Sequence, residues 1–166
     1  MIIGIVCTDE NWGIGKNNDL LFHLKKDMQF FKQTTADSIV FCGYNTLLSF
    51  PGSKPLKGRS TIVLCPEDIK RDDCFCIHNF NEAVSLIKEL AKTHPVFVIG
   101  GAMLYKSMLP YYDKVYVNKV AANGEAEVFF PNLDELSEYE VHRVLPEVED
   151  EGYQTQLRVY MRKESI

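Results

Sequence analysis

Short apolar segments alternate along the chain with segments of helical periodicity. The apolar segments are continuous and rich in β-branched residues, which is typical of strands buried on both faces of a sheet. This pattern predicts strands at residues 2–7, 38–42, 60–64, 95–99 and 114–120. It predicts helices at residues 24–34, 45–49, 81–92 and 102–109, with Asn81 as the N-cap of the third helix.

The last part of the chain has a different pattern. Residues 139–145 and 153–162 show no helical period and are separated by a Glu-Asp-Glu-Gly turn, which predicts an antiparallel hairpin. The alternation of strands and helices before it predicts parallel strands with helices on both faces of the sheet. We therefore expect one α/β domain spanning residues 1–166, built on a mixed, mostly parallel sheet.

Charge and hydropathy mainly argue against certain classes of function and partner. The formal net charge is -5 and no cluster of Lys and Arg is present in the sequence, which argues against a nucleic-acid partner. No segment approaches the roughly 20 apolar residues of a membrane span, and the first residues lack the basic region of a signal peptide. We therefore expect a cytoplasmic protein with no membrane partner.

The five cysteines add one further expectation. Cys7, Cys42 and Cys65 lie in apolar segments predicted to be strands, so we expect buried, reduced thiols of a cytoplasmic protein. Cys74 and Cys76 stand close together, but no second pair of Cys or His residues has zinc-ligand spacing. We expect no metal site.

One carboxylate stands among apolar positions. At about 100° per residue, Asp27 falls on the same arc of its predicted helix as Leu24, Met28 and Phe31. Burying an unpaired carboxylate is costly, so Asp27 requires a partner. A salt bridge to a core Arg or a role in capping the helix would explain it structurally, and a cleft with a polar ligand would explain it functionally. Helix geometry alone does not separate these explanations.

Two of the predicted strands end in glycine and lead directly into helices. Gly43 follows the strand at residues 38–42, and Gly100 and Gly101 follow the strand at residues 95–99. Glycine permits close backbone approach, and a helix N-terminus offers free N–H groups to an anion. Two such turns at one edge of a sheet would suit a dinucleotide pyrophosphate, although either alone is also compatible with a tight strand-to-helix connection.

Two further segments carry candidate chemistry. A Gly/Asn-rich loop from Trp12 to Asn18 suits a mobile lid, although it could also be an ordinary surface loop. Trp12 and Ile14 are large side chains for a surface loop. Arg59 precedes a predicted strand and could bind a carboxylate bidentately, although a surface Arg is the simpler interpretation. The four His are scattered and predict no hydrolase triad.

Taken in this order, the segments resemble dihydrofolate reductase. The resemblance covers most of the chain, and it is closest from residue 2 to residue 105. The matching positions are residues 13–17 with Asp19 and Leu20, Asp27 with Phe30, Phe31 and Lys32, Gly43 with Thr46, residues 55–59, residues 98–101 with Tyr105, Tyr116, and residues 129–131. It implies an eight-stranded sheet with about four helices, and a monomer that uses NADPH to reduce 7,8-dihydrofolate.

The resemblance also implies residue roles. Asp27 would orient the pterin and promote protonation of its N5 atom, with Leu20 and Phe22 close to the reacting groups. Arg59 would bind the glutamate tail. The implied substrate-binding residues are Ile5, Val6, Cys7, Asp27, Met28, Phe31, Lys32, Phe50, Arg59, Ile99, Tyr105 and Asn118. The implied cofactor-binding residues are Cys7, Ile14, Gly15, Asn18, Leu20, Gly43, Tyr44, Asn45, Thr46, Leu64, Cys65, His78, Ile99, Gly100, Gly101, Ala102, Met103, Leu104 and Tyr105.

Several positions depart from the family's pattern. Leu21 and Phe22 stand where the family usually has Pro-Trp, and Asn118 replaces a Thr, so we expect it to reach Asp27 through water. Around the 2′-phosphate of NADPH the family usually has basic or hydroxyl residues, and here His78 is the one cationic substitute. Each lost charge-assisted hydrogen bond is worth about 1.5–3 kcal/mol, so we expect a weakened preference for NADPH over NADH.

Two other functions remain compatible with the same residues. One is reduction of another pteridine or of a ribosylaminopyrimidine by an enzyme of the same fold. The other is a non-catalytic nucleotide-binding module, which would be expected to lack the Asp27 carboxylate or the lid; both are present.

Overall fold

A computed structural model describes residues 1–163 of the chain, so residues 164–166 of the predicted domain lie outside the described part. The strands are β1 (Ile2–Thr8), β2 (Gly13–Lys16), β3 (Asp19–Leu20), β4 (Ile39–Gly43), β5 (Ser60–Leu64), β6 (Phe75–Ile77), β7 (Val96–Val98), β8 (Lys114–Val120), β9 (Val128–Phe129), β10 (Tyr139–Val144), β11 (Val148–Asp150) and β12 (Tyr153–Arg162). The α-helices are α1 (Lys25–Thr35), α2 (Tyr44–Ser49), α3 (Phe80–Leu90) and α4 (Ala102–Ser107).

Eight strands follow one another across the central sheet in the order β10-β12-β8-β1-β7-β4-β5-β6, which confirms the expected architecture. All neighbours from β8 to β6 are parallel. Strand β12 is antiparallel to both β8 and β10. The short strand β11 pairs with β12 outside this path and forms the C-terminal hairpin with it.

The sheet separates two hydrophobic cores, because alternate residues of a buried strand face opposite sides. On β1, Ile3 and Ile5 pack with the residues that face α1 and α2. Ile2 and Val6 pack on the other side, with the residues of α3 and α4. Helices on both faces of a mostly parallel sheet were expected, and the structure confirms them. None of the helices within residues 1–163 is long and apolar enough to cross a membrane.

The boundaries of α3 and α4 differ from the predicted ones. The N-cap of α3 is Asn79, not Asn81, because the side chain of Asn79 accepts a hydrogen bond of 3.1 Å from the backbone N–H of Glu82. Helix α4 ends at Ser107 and is followed by a 3-10 turn, Leu109–Tyr111. Pro110 explains the early end, since proline cannot donate a helical hydrogen bond and disfavours the α conformation of the residue before it.

The Gly/Asn-rich segment after β1 is not a plain surface loop. It forms β2 and β3, which pair with β9 in a small second sheet ordered β3-β2-β9. Trp12, at the start of the segment, is only 4% exposed. Its ring stacks on Phe130 at 6.3 Å between centroids and contacts Tyr160. The buried Trp12 therefore anchors one end of the segment in the core.

Candidate active site

Asp27 lies in the first turn of α1, which begins without a side-chain cap of its own. Leu24 occupies the N-cap position and cannot accept a hydrogen bond through its side chain. Asp150, at the end of β11, accepts hydrogen bonds from the backbone N–H groups of Lys26 at 3.2 Å and Asp27 at 3.0 Å. Asp150 is only 2% exposed. A buried carboxylate from the C-terminal hairpin thus satisfies the first turn of α1.

The carboxyl group of Asp27 meets the ends of two adjacent strands. Cys7 of β1 and Asn118 of β8 are paired in the sheet register. The Nδ2 atom of Asn118 donates a hydrogen bond of 2.9 Å to Oδ1 of Asp27. The expected water bridge between Asn118 and Asp27 was therefore wrong, because the amide reaches the carboxyl group directly. The thiol of Cys7 makes a smaller contribution that lowers the pKa of Asp27.

Burial and the nearby charge of Asp150 raise the pKa of Asp27, and the hydrogen bonds from Asn118 and Cys7 lower the pKa in part. The net effect is a raised pKa, which favours the protonated carboxyl group. Burial and the charges of Asp27 and Asp150 also raise the pKa of Cys7 well above its usual value, so its thiol remains a neutral donor.

The two structural explanations for Asp27 do not hold. Within residues 1–163, Asp27 has no ion-pair partner among the Lys, Arg and His side chains. Nor does its side chain cap α1, since the capping carboxylate is that of Asp150. A partly buried acid that has hydrogen-bond donors but no counter-ion is the arrangement expected of a ligand-binding group.

Apolar side chains surround this acid on the α1 face of the sheet. Ile5 and Ile99 are buried there. Phe30 packs edge-on against Tyr116 at 5.7 Å, and Phe31 and Phe50 are partly buried against the same core. Met28 remains exposed on α1.

Val6 is the exception among the predicted wall residues. Its side chain lies in the core on the opposite face of the sheet, as strand alternation requires, so only its backbone can face a ligand on the α1 side.

Arg59 is held at the C-terminal end of α1. Its Nε donates to Oγ1 of Thr35 at 3.0 Å, and its guanidinium donates to the backbone carbonyls of Lys32 and Lys57. These contacts use three of the five N–H donors of a guanidinium, which leaves two for a ligand. Lys32 itself is exposed next to it.

The two glycine turns meet at the carboxyl ends of β4 and β7. The backbone N–H of Gly43 donates to the carbonyl of Gly100 at 2.9 Å. Gly100 has φ 118, and a Cβ atom there would lie 3.3 Å from the ring of Tyr105. A Cβ on Gly101 would lie 3.4 Å from Oγ1 of Thr46. The two turns therefore lie side by side, with Gly43 and Gly101 partly exposed, an arrangement that fits a pyrophosphate.

The remaining predicted residues of the α4 turn divide between core and surface. Tyr105 is buried and donates a hydrogen bond of 2.7 Å to the carbonyl of Ile5. The side chain of Leu104 lies in the core, so only its backbone can reach a cofactor. Met103 is 86% exposed, and Ala102 is the first residue of α4. On α2, Tyr44 and Thr46 are partly exposed and Asn45 is exposed.

A second group of predicted cofactor residues lies at the ends of β5 and β6. Leu64 pairs with Ile77 in the sheet, and the N–H of Cys65 donates to the carbonyl of Ile77 at 2.8 Å. The Cys65 side chain is buried, whereas His78 is exposed with Nδ1 2.9 Å from the carbonyl of Pro66. His78 therefore lies at the surface beside the ends of β5 and β6.

Arg71 is a cation near this group that sequence reasoning did not select. It forms a bidentate ion pair with Asp73, at 2.8 and 2.6 Å, and donates to the carbonyl of Ser53. The hydrogen bond from Arg71 lowers the pKa of Asp73 to about 2. Because this ion pair already engages the guanidinium, Arg71 is a poorer phosphate ligand than its charge suggests.

The small sheet bears the predicted lid. At its tip, the N–H of Asn17 donates to Oε1 of Glu127 at 2.6 Å, and the N–H of Glu127 donates to the carbonyl of Gly15 at 2.8 Å. Asn17 and Asn18 both have positive φ, as a tight hairpin turn requires. Leu20 is exposed on β3. The side chain of Ile14 is buried in the α3 and α4 core.

Phe22 follows the lid and packs edge-on against Tyr153 of β12 at 5.0 Å between ring centroids. It also lies against Gly124, where a Cβ atom would be 3.3 Å from the ring of Phe22. Phe22 therefore connects the end of the lid to the C-terminal hairpin.

Three acids that organise the site are not apparent in the sequence because their partners are distant in the chain. Asp150 contacts α1 across 123 residues, and Glu127 contacts Asn17 across 110. Asp9 accepts from the N–H groups of Asn11, Gly13 and Gly124, and so connects the base of the lid to the loop after β8. Nothing in the local pattern of the sequence distinguishes these acids from solvated ones.

The fold and the site define a single-domain α/β protein with paired glycine turns at the carboxyl ends of its parallel strands and a partly buried acid in the first turn of α1, the class to which nucleotide-dependent enzymes belong. The family profile described as dihydrofolate reductase matches residues 1–162. The chain belongs to the dihydrofolate reductase family.

Individual relatives agree with this assignment. The chain is 33% identical to the dihydrofolate reductase of Bacillus subtilis over 136 residues, which cover 81% of this chain and 78% of that protein. It is 33% identical to the mouse dihydrofolate reductase over 181 residues, covering 96% of each chain. The structure of Enterococcus faecalis dihydrofolate reductase complexed with NADP(H) and RAB-propyl is similar with a TM-score of 0.86 and 28% identity, covering 99% of this chain and 97% of that one.

Proposed function

We propose that Asp27 orients the pterin ring of 7,8-dihydrofolate and promotes protonation of its N5 atom. As a member of the family, the protein is an NADPH-dependent dihydrofolate reductase that forms 5,6,7,8-tetrahydrofolate. The observation that carries the proposal is the position of Asp27: a partly buried acid with a raised pKa, hydrogen-bonded by Asn118 and lacking an ion-pair partner within residues 1–163.

The reaction needs one hydride and one proton. NADPH, when bound, supplies the hydride that is added to C6 of the pterin. The proton reaches N5 from solvent, and Asp27 supports this step by binding the 2-amino and N3 groups of the ring. A carboxyl group with a raised pKa retains its proton to a higher pH than an ordinary Asp, so Asp27 can support protonation of N5 through solvent at higher pH.

The surrounding residues have supporting roles in this proposal. Ile5, Ile99 and Phe31 supply apolar walls, which exclude water and strengthen the hydrogen bonds of Asp27. Arg59 is held on three sides and presents its remaining donors to the α-carboxylate of the glutamate tail. Lys32 assists with its positive charge.

The cofactor would be held at the carboxyl ends of the parallel strands. Gly43, Gly100 and Gly101 would admit the pyrophosphate, because their two turns lie side by side and have no side chains of their own. Tyr105 and the backbone of Ile99 would border the nicotinamide, and His78 would lie nearest the 2′-phosphate. We expect a cytoplasmic monomer that needs no partner beyond its substrate and cofactor.

The test is the decrease in near-ultraviolet absorbance of NADPH on mixing with enzyme and dihydrofolate. Asp27→Asn should reduce the hydride-transfer rate at neutral pH by about a hundredfold or more, with partial recovery in acid, where solvent protonates N5 without assistance. A variant as fast as the wild type at neutral pH would remove Asp27 from the mechanism. NADPH binding without turnover of dihydrofolate would favour a binding module, and turnover of another pteridine alone would favour a related reductase.

A further inference from the structure

We propose that Asp150 is a positioning residue for the reaction: from the end of β11, its buried carboxylate holds the first turn of α1, and with it Asp27, in the orientation that the substrate requires. This inference rests on the proposed role of Asp27. Asp150 does not itself reach the ligand face of α1 in this scheme, because both of its carboxylate oxygens are bonded to backbone N–H groups.

The contacts of the hairpin are made with the first turn of α1, the end of the helix that carries Asp27. One oxygen of Asp150 accepts from Lys26, and the other accepts from the backbone N–H of Asp27 itself. The ammonium group of Lys26 also donates to the carbonyl of Glu149 at 2.5 Å. The hairpin therefore binds the first turn at three points, and two of them fix the backbone from which the catalytic side chain projects.

The hairpin is suited to hold its end residue in place. Asp150 pairs with Tyr153 in the register of β11 and β12, so a two-residue turn joins the strands. Glu151 and Gly152 both have positive φ, as that turn requires. The hydroxyl of Thr155 donates to the carbonyl of Val148 at 3.0 Å. Asp150 is thus at the end of a short, well-bonded strand, where its carboxylate has little freedom to move.

Helix caps in general do not need a charge. Ser, Thr and Asn cap helices about as well as Asp. A buried carboxylate beside a second buried acid carries an additional cost, since like charges disfavour joint ionisation. The charge of Asp150 acts on the proton equilibrium of Asp27 in this direction and raises its pKa. The carboxylate therefore acts on the helix and on the acid together: its two oxygens bind two N–H groups of the first turn, and its charge raises the pKa of Asp27.

The other groups that face Asp27 cannot substitute for this charge. Cys7 approaches from β1 and Asn118 from β8, and both are neutral donors. Tyr105, from α4, is buried, and the charge of Asp27 contributes to its raised pKa, so this hydroxyl also remains neutral. Lys26 directs its ammonium group to the hairpin carbonyl. Asp150 is the one carboxylate among these neighbours.

The test is the pH dependence of single-turnover hydride transfer in Asp150→Asn and Asp150→Ser, with Glu149→Gln as the matched control. Glu149 is exposed in the same hairpin, and its side chain makes no contact with α1 among the described hydrogen bonds, so its variant removes a charge without touching the helix. We expect the profiles of both Asp150 variants to move toward acid and the rate at neutral pH to fall severalfold, because a lower pKa leaves a smaller protonated fraction of Asp27. The control should match the wild type, and NADPH affinity should be unchanged in all three variants.

Asp150→Ser keeps a short capping oxygen, so it tests the charge even where Asp150→Asn folds poorly. Lower thermal stability with a wild-type pH profile in both variants would reduce Asp150 to a structural cap and overturn the inference. Carboxyl-carbon NMR titration of Asp27 adds a measurement that does not depend on activity: a lower Asp27 pKa in Asp150→Asn than in the wild type supports the inference, and an unchanged pKa opposes it. Asp27→Asn is run in parallel, because a wild-type rate in that variant would instead refute the proposed function.

Discussion

Asn118 donates a hydrogen bond of 2.9 Å to Asp27, although the two residues are 91 positions apart in the chain. The contact exists because β8 lies next to β1 in the sheet and places Asn118 beside Cys7, directly across from the first turn of α1. The amide stabilises the ionised form of the acid, whereas burial and Asp150 stabilise the protonated form. The proton affinity of Asp27 is therefore a balance between donors on the sheet and a carboxylate on the hairpin.

Removal of the amide should shift this balance in one direction. In Asn118→Ala, loss of the donor should raise the pKa of Asp27 further, because the hydrogen bond from Asn118 lowers it in the wild type. We expect the pH profile of hydride transfer to move toward alkaline pH, opposite to the shift expected for Asp150→Asn. Stopped-flow measurement across pH checks this. A profile that moves toward acid would contradict the assigned role of the amide.

The raised pKa of Asp27 also predicts a pH-dependent cost in stability. The native state binds the proton more tightly than the unfolded state, so stability falls as pH rises from the unfolded pKa through the native pKa. Asp27→Asn has no carboxyl group at this position, so its stability does not fall in this way as pH rises. The variant should therefore be more stable than the wild type at neutral pH, and its advantage should disappear in acid. Urea denaturation at several pH values measures the difference, and a difference independent of pH would contradict the linkage.

Arg59 should contribute to binding of the glutamate tail and not to the chemistry. Arg59→Lys cannot present the bidentate guanidinium geometry, so we expect the Kd for dihydrofolate to rise about tenfold, the loss of one charge-assisted hydrogen bond. A pterin without a glutamate tail is the matched control, and its affinity should not change. Equal weakening of both ligands would show that Arg59 acts through its contacts with the end of α1.

The glycine turns can be tested with one substitution that the fold tolerates. A Cβ on Gly43 would have its nearest neighbours at 3.9 and 4.0 Å, so Gly43→Ala should fold normally. If a pyrophosphate lies against this turn, the new methyl group should raise the Kd for NADPH about tenfold, as expected for overpacking. Gly100→Ala provides the contrast, because it places Cβ 3.3 Å from Tyr105 at a positive φ and should destabilise the fold. Wild-type NADPH affinity in Gly43→Ala would exclude this position for the pyrophosphate.

The preference for NADPH over NADH should be weaker than in an enzyme whose 2′-phosphate site is strongly basic. His78 is exposed near the expected 2′-phosphate position, and Arg71 is engaged by Asp73. We expect kcat/KM for NADPH to exceed that for NADH by less than about a thousandfold, since two charge-assisted bonds supply roughly that factor. His78→Gln should lower the ratio of the two kcat/KM values further. The same substitution at the exposed His94, in the turn after α3, is the control. A ratio above a thousandfold that survives His78→Gln would contradict the prediction.

Local patterns were sufficient for most of the secondary structure. The apolar segments at residues 60–64 and 114–120 became β5 and β8 with the predicted bounds, because continuous β-branched stretches have few alternatives to a buried strand. Short elements were missed where three-dimensional context determines them. Strands β2, β3 and β9 contain two to four residues each and form by pairing with one another. Segments this short show no hydrophobic periodicity from which a strand could be predicted.

By itself, the sequence determined that Asp27 lies among apolar neighbours and that two strands end in glycine, because both facts depend only on the spacing of residues within one element. Only the tertiary structure decided which groups shift the pKa of that acid. Asn118 and Asp150 approach Asp27 from strands 91 and 123 residues away. Sheet register and a hairpin turn bring them together, and those long-range pairings leave no trace in local spacing.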